Sequence, residues 1–394
     1  MKSIHQKQKI ISHFVGLSGI GGVQSNFVEY MKSLELHQSK YRHRVYTFGH
    51  VDSHYQFVND ILDIRKLSNL YKLILDIVSA GAIVHFYNNL SSLKVAIILF
   101  FLPVRRLVVH ERGTIWSQRS SSWIVPRFVA WKASIILSNS LATKTMLVRK
   151  FSIPEKKIRV LHNGINIFPR YDCNTNTNTN TNNPVFCIGF IGRLDPHKGV
   201  HVLIDAMHYL ANKKIELIIA GEGILENTLK RSASKLNNVK FIGRVKNPYL
   251  FMNKIDLLVV PSIREPLGNV CLEAGLCKTP VLAANIDGLP EIIENGVSGE
   301  LVNATDKISI ELPRSASPLP EFVVDPITQD IYPPRQINSS LLADRILKLS
   351  AQPQQLKIYA DRLNCKVINY FNINRYRTEL HKVYHELFFT KSKL

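Results

Sequence analysis

Two carboxylates, Glu265 and Glu273, stand with seven residues between them in REPLGNVCLEAG (Arg264–Gly275), in a chain whose formal net charge is +20. The stretch follows the apolar run DLLVVPS, reads as a loop that opens into a helix near Asn269, and puts Glu273 about one turn inside that helix. A carboxylate there can bind vicinal hydroxyls, as acidic residues do for ribose in dinucleotide folds. Glu265, earlier on the loop, could reach another group of the same ligand, and the first-turn amides of Gly268, Asn269 and Val270 would point toward it. The plainer alternative is that both glutamates only complement the positive end of the helix. A second constellation lies in GFIGRLDPHKG (Gly189–Gly199), where Arg193 and Lys198 sit between an apolar strand and a helix opening near Gly199. Arginine offers a planar fork for phosphate oxygens and lysine a mobile point charge, so the pair suits a diphosphate. A solvated basic loop is the other reading. The third is GLSGIGGVQSNFVEY, from Gly16, where a strand ends in glycines and a helix begins near Gly22 or Val23. Glycines let a backbone approach a ligand and a helix start favours an anion, although such turns are common in α/β folds.

Short apolar runs separated by amphipathic stretches must position these loops. Strands are expected at KIISHFVG, HRVYTFG, AIVHFYN, RLVVHER and IILSNS, with helices at VQSNFVEYMKSLEL and at the apolar SSLKVAIILFFL, which reads as buried. Further on come CIGFIGRL, IELIIAGEG, VKFIGRV, DLLVVPS and PVLAAN, interrupted by helical patterns such as VHVLIDAMHYLANK. Apolar strands followed by helices point to parallel sheets covered on both faces. The pattern occurs twice, which predicts an α/β protein of two Rossmann-like, doubly wound domains facing across a cleft. The polar run NTNTNTNTNN cannot offset its ordering entropy and is the expected linker, residues 174–183, or an expansion within a surface loop. The expected domains are therefore 1–173 and 184–374. A C-terminal helix over about 375–394 packs on its own domain or crosses back to the first.

Globular composition and 394 residues fit two domains. No secretory signal pattern opens the chain. VAIILFFLPV is too short to cross a bilayer, which takes about 20 residues. The five cysteines show no metal-ligand or disulfide spacing, so free thiols in a reducing cytoplasm are expected. Residues 1–183 hold 24 Lys+Arg against 9 Asp+Glu, a net of +15, and the remainder a net of +5. That imbalance attracts polyanions or is simply a solvated surface. Nucleic acid is the weakest partner, since the basic residues are dispersed and no recognition motif is present.

GGVQ, HERGT, HNGIN, GRLDPHKG, AGEG, FIGRV and EPLGNVCLEAG occur in an order and spacing that resemble the retaining nucleotide-sugar glycosyltransferases of glycosyltransferase family 4. The resemblance covers most of the chain and is strongest from Cys187 to Val302. It implies the GT-B fold. It implies that Arg193 and Lys198 bind the donor diphosphate and stabilise the leaving nucleotide, and that Glu273 binds the ribose. Glu265, with Gly268, Asn269 and Val270, would hold the donor sugar. Gly22 would lie against the diphosphate, and His110 of HERGT would face the donor sugar, unless it is only a satisfied structural histidine. The implied partners are a nucleotide-sugar donor and a glycan or lipid-linked glycan acceptor, with no cofactor and no metal. The family's bacterial members usually serve lipopolysaccharide, O-antigen or capsular polysaccharide assembly. The expected location is cytoplasmic, with peripheral contact at an anionic inner membrane face. Leu267 stands where the family commonly has an aromatic residue, CKTP (Cys277–Pro280) where it has a glycine-containing turn, and a Pro-rich stretch over 308–334 where it has a shorter connection. Alternatives are a nucleotide-sugar epimerase or a phosphorylase of the same fold, against which the E-x7-E pairing argues, and a non-catalytic sugar-nucleotide-binding scaffold.

Overall fold

The computed structural model of the chain describes residues 9–18, 21–36, 39–55, 58, 61–167 and 185–389. Two compact units make it up, Met1–Asn166 with Asn372–Leu394, and Ile167–Phe371. The Asn/Thr run 174–183 and Cys173 lie outside the described residues.

In the first unit, β1 (Ile10–Phe14), β2 (Arg42–Thr47), β3 (Ile61–Asp63), β4 (Ala82–Tyr87), β5 (Leu107–Glu111), β6 (Ile135–Ser138) and β7 (Ile158–Val160) form one sheet in the order β3-β2-β1-β4-β5-β6-β7. All its pairings are parallel. β4 and β5 are buried along their whole length, as expected of strands covered on both faces. Between the strands run α1 (Gly22–Glu35), α2 (Leu67–Val78), α3 (Leu93–Phe101), α4 (Ile124–Lys132) and α5 (Leu141–Phe151).

The second unit repeats the plan with β8 (Phe186–Ile191), β9 (Ile215–Ala220), β10 (Val239–Gly243), β11 (Leu257–Val260), β12 (Val281–Ala284) and β13 (Glu300–Val302). Their order is β10-β9-β8-β11-β12-β13, again with every pairing parallel. Its helices are α6 (Val200–Tyr209), α7 (Glu226–Ser232), α8 (Pro248–Met252), α9 (Asn269–Leu276), α10 (Leu289–Ile292), α11 (Ser339–Ser350) and α12 (Pro353–Tyr370). In both units the strand order reverses once, between β1 and β4 and between β8 and β11. Open α/β sheets bind ligands beyond the carboxyl ends of the strands that flank such a reversal.

The last helix, α13 (Ile373–Phe389), belongs to the first unit. Ile373, Tyr376, Leu380, Val383, Tyr384 and Phe388 recur at helical spacing on its buried face. They pack with Ile11, Tyr30, Ile83 and Val108 in one core cluster.

All ten expected strands are present. The three-residue edge strands β3, β7 and β13 were not anticipated, because three residues are too few to show a period. One expectation needs correction. SSLKVAIILFFL is a helix, but only Val95, Ala96 and Leu99 of α3 are buried, and Leu93, Ile97, Phe100 and Phe101 face solvent. Its apolar residues run round the whole helix, so pattern could not tell a covered face from an open one.

Candidate active site

The reversal point of the second unit is where the two charged motifs meet. Arg193, Asp195 and Lys198 lie on the loop that leaves β8, and Glu265 on the loop that leaves β11, so the two strands flanking the reversal carry both sets of charges. The loops are tied together through their backbones. The carbonyl of His197 accepts from Ile263 N at 2.9 Å and Arg264 N at 3.2 Å. Gly199, the N-cap of α6, sits at φ +67, where a Cβ would come within 1.9 Å of the Pro261 carbonyl oxygen. Only glycine permits both that backbone region and that approach.

With the loops locked, Lys198 Nζ donates to Glu265 Oε2 at 2.6 Å, and Ser262 Oγ donates to the same oxygen at 3.3 Å. Both charged side chains are largely withdrawn from solvent. Arg193 is different. Its side chain is mostly exposed and pairs with Asp195 at 2.9 Å, so it lies at the mouth of the site and is free to turn toward an incoming anion. The imidazole of His197, between the two, is pushed down to about 2 by burial and by Arg264, Lys198 and Arg193, and stays neutral.

Gly268 caps α9 in the left-handed region at φ +99, and no side chain occupies the cap. Asn269 and Val270 form the first helical positions, with no acidic residue in the first turn. The positive end of α9 therefore has no carboxylate of its own there. Glu273 follows one turn on, half-buried, and burial pushes its carboxyl up to about 7. The Cys271 thiol in the same helix is buried, and burial raises it, with Glu265 and Glu273 adding to the rise and Lys198 opposing it.

Sequence reasoning passed over Asp287. It is buried at φ +45, and its Oδ2 accepts from Glu265 N at 2.9 Å while Oδ1 accepts from Val324 N at 2.7 Å. Burial raises this carboxyl to about 7, against the pull of those two amides. Asp287 thus fastens the Glu265 loop to Val323–Val324, which pairs with Ile331–Tyr332 inside the Pro-rich stretch. An Asp-Gly step after the strand PVLAAN was the available signal, since Asp tolerates the left-handed region better than most residues.

In the first unit Gly22 opens α1 behind an extended Gly21, with no side-chain cap. His110 lies on β5 with no exposed surface. Its ring stacks near His85, at 5.5 Å between centroids, and near Tyr87, at 5.7 Å. Burial, Arg112 and His85 hold its pKa far below the usual range. Its Nδ1 lies 3.5 Å from Arg112 Nη2, and its Nε2 has no hydrogen-bond partner among the described residues. Any contact with a ligand would have to be made through that Nε2. The structure thus gathers Arg193, Lys198, Glu265, Gly268, Asn269, Val270 and Glu273 in one unit and puts Gly22 and His110 in the other.

Residues 175–311 match the family described as glycosyl transferases group 1. An uncharacterised glycosyltransferase of Methanocaldococcus jannaschii is 32% identical over 215 residues, half of this chain and 55% of that one. The capsular polysaccharide biosynthesis glycosyltransferase CapM of Staphylococcus aureus is 28% identical over 198 residues, 47% of this chain and 52% of CapM. The chain thus spans about half the length of these relatives. Among solved structures, HepE of Anabaena in complex with UDP-glucose superposes with a TM-score of 0.73 at 21% identity, covering 96% of this chain and 100% of HepE. The fold is GT-B.

Proposed function

We propose that this chain, which carries a group 1 glycosyltransferase domain on a GT-B fold, moves a sugar from a nucleotide diphosphate to a glycan or lipid-linked glycan acceptor with retention at the anomeric carbon. The observation that carries this reading is the placement of Arg193 and Lys198 after β8 and of Glu265 and Glu273 after β11, with Lys198 and Glu265 joined at 2.6 Å. Two cations suit a diphosphate, and two carboxylates suit the hydroxyls on either side of it. Glu273 takes the ribose, and Glu265, with the backbone from Gly268 to Val270, takes the sugar. Gly22 and His110, which the resemblance also assigns to the donor, belong to the first unit.

In the reaction, the bond between the anomeric carbon and the diphosphate oxygen breaks and its electron pair leaves on the diphosphate. The acceptor hydroxyl forms the new bond on the same face and passes its proton to the departing diphosphate oxygen. Charge accumulates on the leaving group, and preorganised cations stabilise it most where solvent is excluded. Lysine has three donors, so Lys198 can hold Glu265 and still reach a phosphate oxygen. Arg193 turns in from the surface. These two groups supply the positive charge, so transfer is expected to persist in EDTA. CapM, the staphylococcal relative, acts in capsular polysaccharide biosynthesis, and assembly of a bacterial surface polysaccharide at the cytoplasmic side is the setting we propose here.

The test is thermal stabilisation by UDP, GDP, ADP, CMP and dTDP with their common sugars, with Glu273→Ala as control. A ligand at a hundredfold excess over Kd raises stability by about 2.7 kcal/mol. One nucleotide class should stabilise the wild type and not the control, and that donor should label a glycan acceptor. Binding without transfer or slow donor hydrolysis would mark a scaffold, and conversion of the sugar without acceptor would mark an epimerase.

A further inference from the structure

The first unit exposes a face that its own fold does not explain. On α3, Leu93, Ile97, Phe100 and Phe101 fall at i, i+4, i+7 and i+8, one side of a helix, with Phe100 67% and Phe101 75% exposed. α4 packs beside it and repeats the arrangement, burying Pro126, Val129 and Ala130 and exposing Ile124, Arg127 and Trp131, the last 68% exposed. The two helices join through their rings, with Phe100 to Phe128 at 6.3 Å and Phe128 to Trp131 at 6.0 Å. Contiguous exposed apolar surface of this kind marks an interaction site.

Its charge says which. From Asn88 to Ser138 the sequence has seven Lys and Arg and a single acidic residue, Glu111, which is buried on β5. Three of the cations lie over exposed rings, two of them over tryptophans of this surface and Lys94 of α3 over Phe48 just after β2. Arg127 is 5.1 Å from the Trp123 ring, Lys132 5.1 Å from Trp131, and Lys94 5.0 Å from Phe48. None of the three pairs with a carboxylate among the described residues. We propose that the α3–α4 face docks on an anionic lipid surface, with the tryptophans and phenylalanines at the headgroup boundary and the cations on the lipid phosphates.

A second copy of the chain fits less well, because a symmetric contact would press a face of one charge against itself, and charged residues are depleted from such cores. Single-stranded nucleic acid would stack on the rings but finds nothing in Leu93, Ile97 and Ile124, whereas lipid dissolves both kinds of side chain. This inference names the surface that would make the expected contact with an anionic membrane face, and it stands without the transferase reading.

The test is sedimentation of the full chain with vesicles of phosphatidylcholine alone or mixed with phosphatidylglycerol. Retention is expected only with the mixed vesicles, and it should weaken toward 1 M salt, where the screening length falls to about 3 Å. Phe100→Ser with Trp131→Ser should abolish it. Arg127→Gln and Lys132→Gln should each weaken partitioning about fivefold. Ile327→Ser, an exposed apolar position of the second unit, should change nothing. All variants should keep the wild-type melting temperature, since the replaced side chains face solvent. The proposal is overturned by a failure to bind mixed vesicles, or by retention that survives the ring variants. It is equally overturned if the ring variants instead dissolve a dimer seen by sedimentation velocity or abolish an oligonucleotide gel shift. Nucleotide-induced stabilisation measured on the same preparations reports separately on the transferase site.

Discussion

Glu265, on the loop before α9, and Glu273, one turn inside it, differ in what holds them. Glu265 is already committed to Lys198 and Ser262, whereas the carboxyl of Glu273 is raised to about 7 by burial alone. A carboxylate accepts from two hydroxyls at once, and a protonated carboxyl has one acceptor oxygen fewer. Nucleotide affinity should therefore fall as pH drops through about 7 and Glu273 takes up its proton. Calorimetric titration of the wild type and of Glu273→Gln across pH 6 to 8 checks this. The glutamine variant should bind more weakly and lose that pH step, and a wild type with a flat profile would remove Glu273 from the ribose. Asp287 makes a second residue-scale case. Removing its side chain leaves the amides of Glu265 and Val324 without their acceptor in a buried setting, at about 1–3 kcal/mol each. Asp287→Ala should thus lower unit stability by about 2–6 kcal/mol in urea titration. It should also lower kcat more than it raises KM, because Glu265 loses its anchor. Asp287→Asn keeps an acceptor and tolerates the same backbone region, and should recover part of both.

Elements decide what single residues cannot. Five histidines on five elements meet in the first unit, His13 on β1, His43 on β2, His85 on β4, His110 on β5 and His381 on α13. His13 Nε2 and His43 Nδ1 are 2.9 Å apart, His85 Nδ1 is 2.6 Å from Tyr384 OH, and His381 Nε2 is 3.1 Å from Tyr30 OH. Burial is the first cause of the downward shift in every one, with neighbouring histidines, Arg112 and Arg377 adding to it. His43 is brought to about 3 and His381 to about 4. In the unfolded chain each titrates near 6.5. The folded state therefore binds fewer protons below that pH, and stability is lost as pH falls from about 6.5 toward 4. An imidazole held fully neutral loses as much as about 2 kcal/mol by pH 5, so the first unit should melt many degrees lower at pH 5 than at pH 7.5. His85→Phe with His110→Phe should flatten that slope, and an unchanged slope would refute the account. This cluster also shows where sequence reading stops. Strand positions and the motif loops were legible because apolar runs and glycines repeat along the chain. A histidine on a buried strand looks the same whether it faces a ligand or four other rings, and His110 sits among rings. Asp287 escaped notice for a related reason, since its partner Val324 lies 37 residues on, inside a stretch without periodicity.

At the scale of the whole molecule, chain order and unit membership part company at Phe371. The chain completes its second unit there and then supplies α13 to the first. Six large side chains of α13 are buried in the core cluster of that unit, and burying a large apolar side chain is worth about 1.5–3 kcal/mol. Their sum, roughly 9–18 kcal/mol, matches or exceeds the whole stability of an ordinary domain, about 5–15 kcal/mol. Polar bonds would be cut as well, among them Arg112 to Tyr376 OH at 2.6 Å, Arg375 to the His162 carbonyl at 2.7 Å and Arg377 to the Ser33 carbonyl at 2.9 Å. A chain ending at Phe371 should therefore fail to fold its first unit. The second unit has its own sheet and core, and it should still fold and bind nucleotide. Scanning calorimetry with and without nucleotide separates the two. The truncated protein should show one transition, raised by nucleotide, and should lack the nucleotide-independent transition of the intact chain. If the truncated chain keeps both, α13 is dispensable to the first unit. If it loses both, the second unit depends on the first for its own stability, and the nucleotide site cannot be treated as the property of one unit.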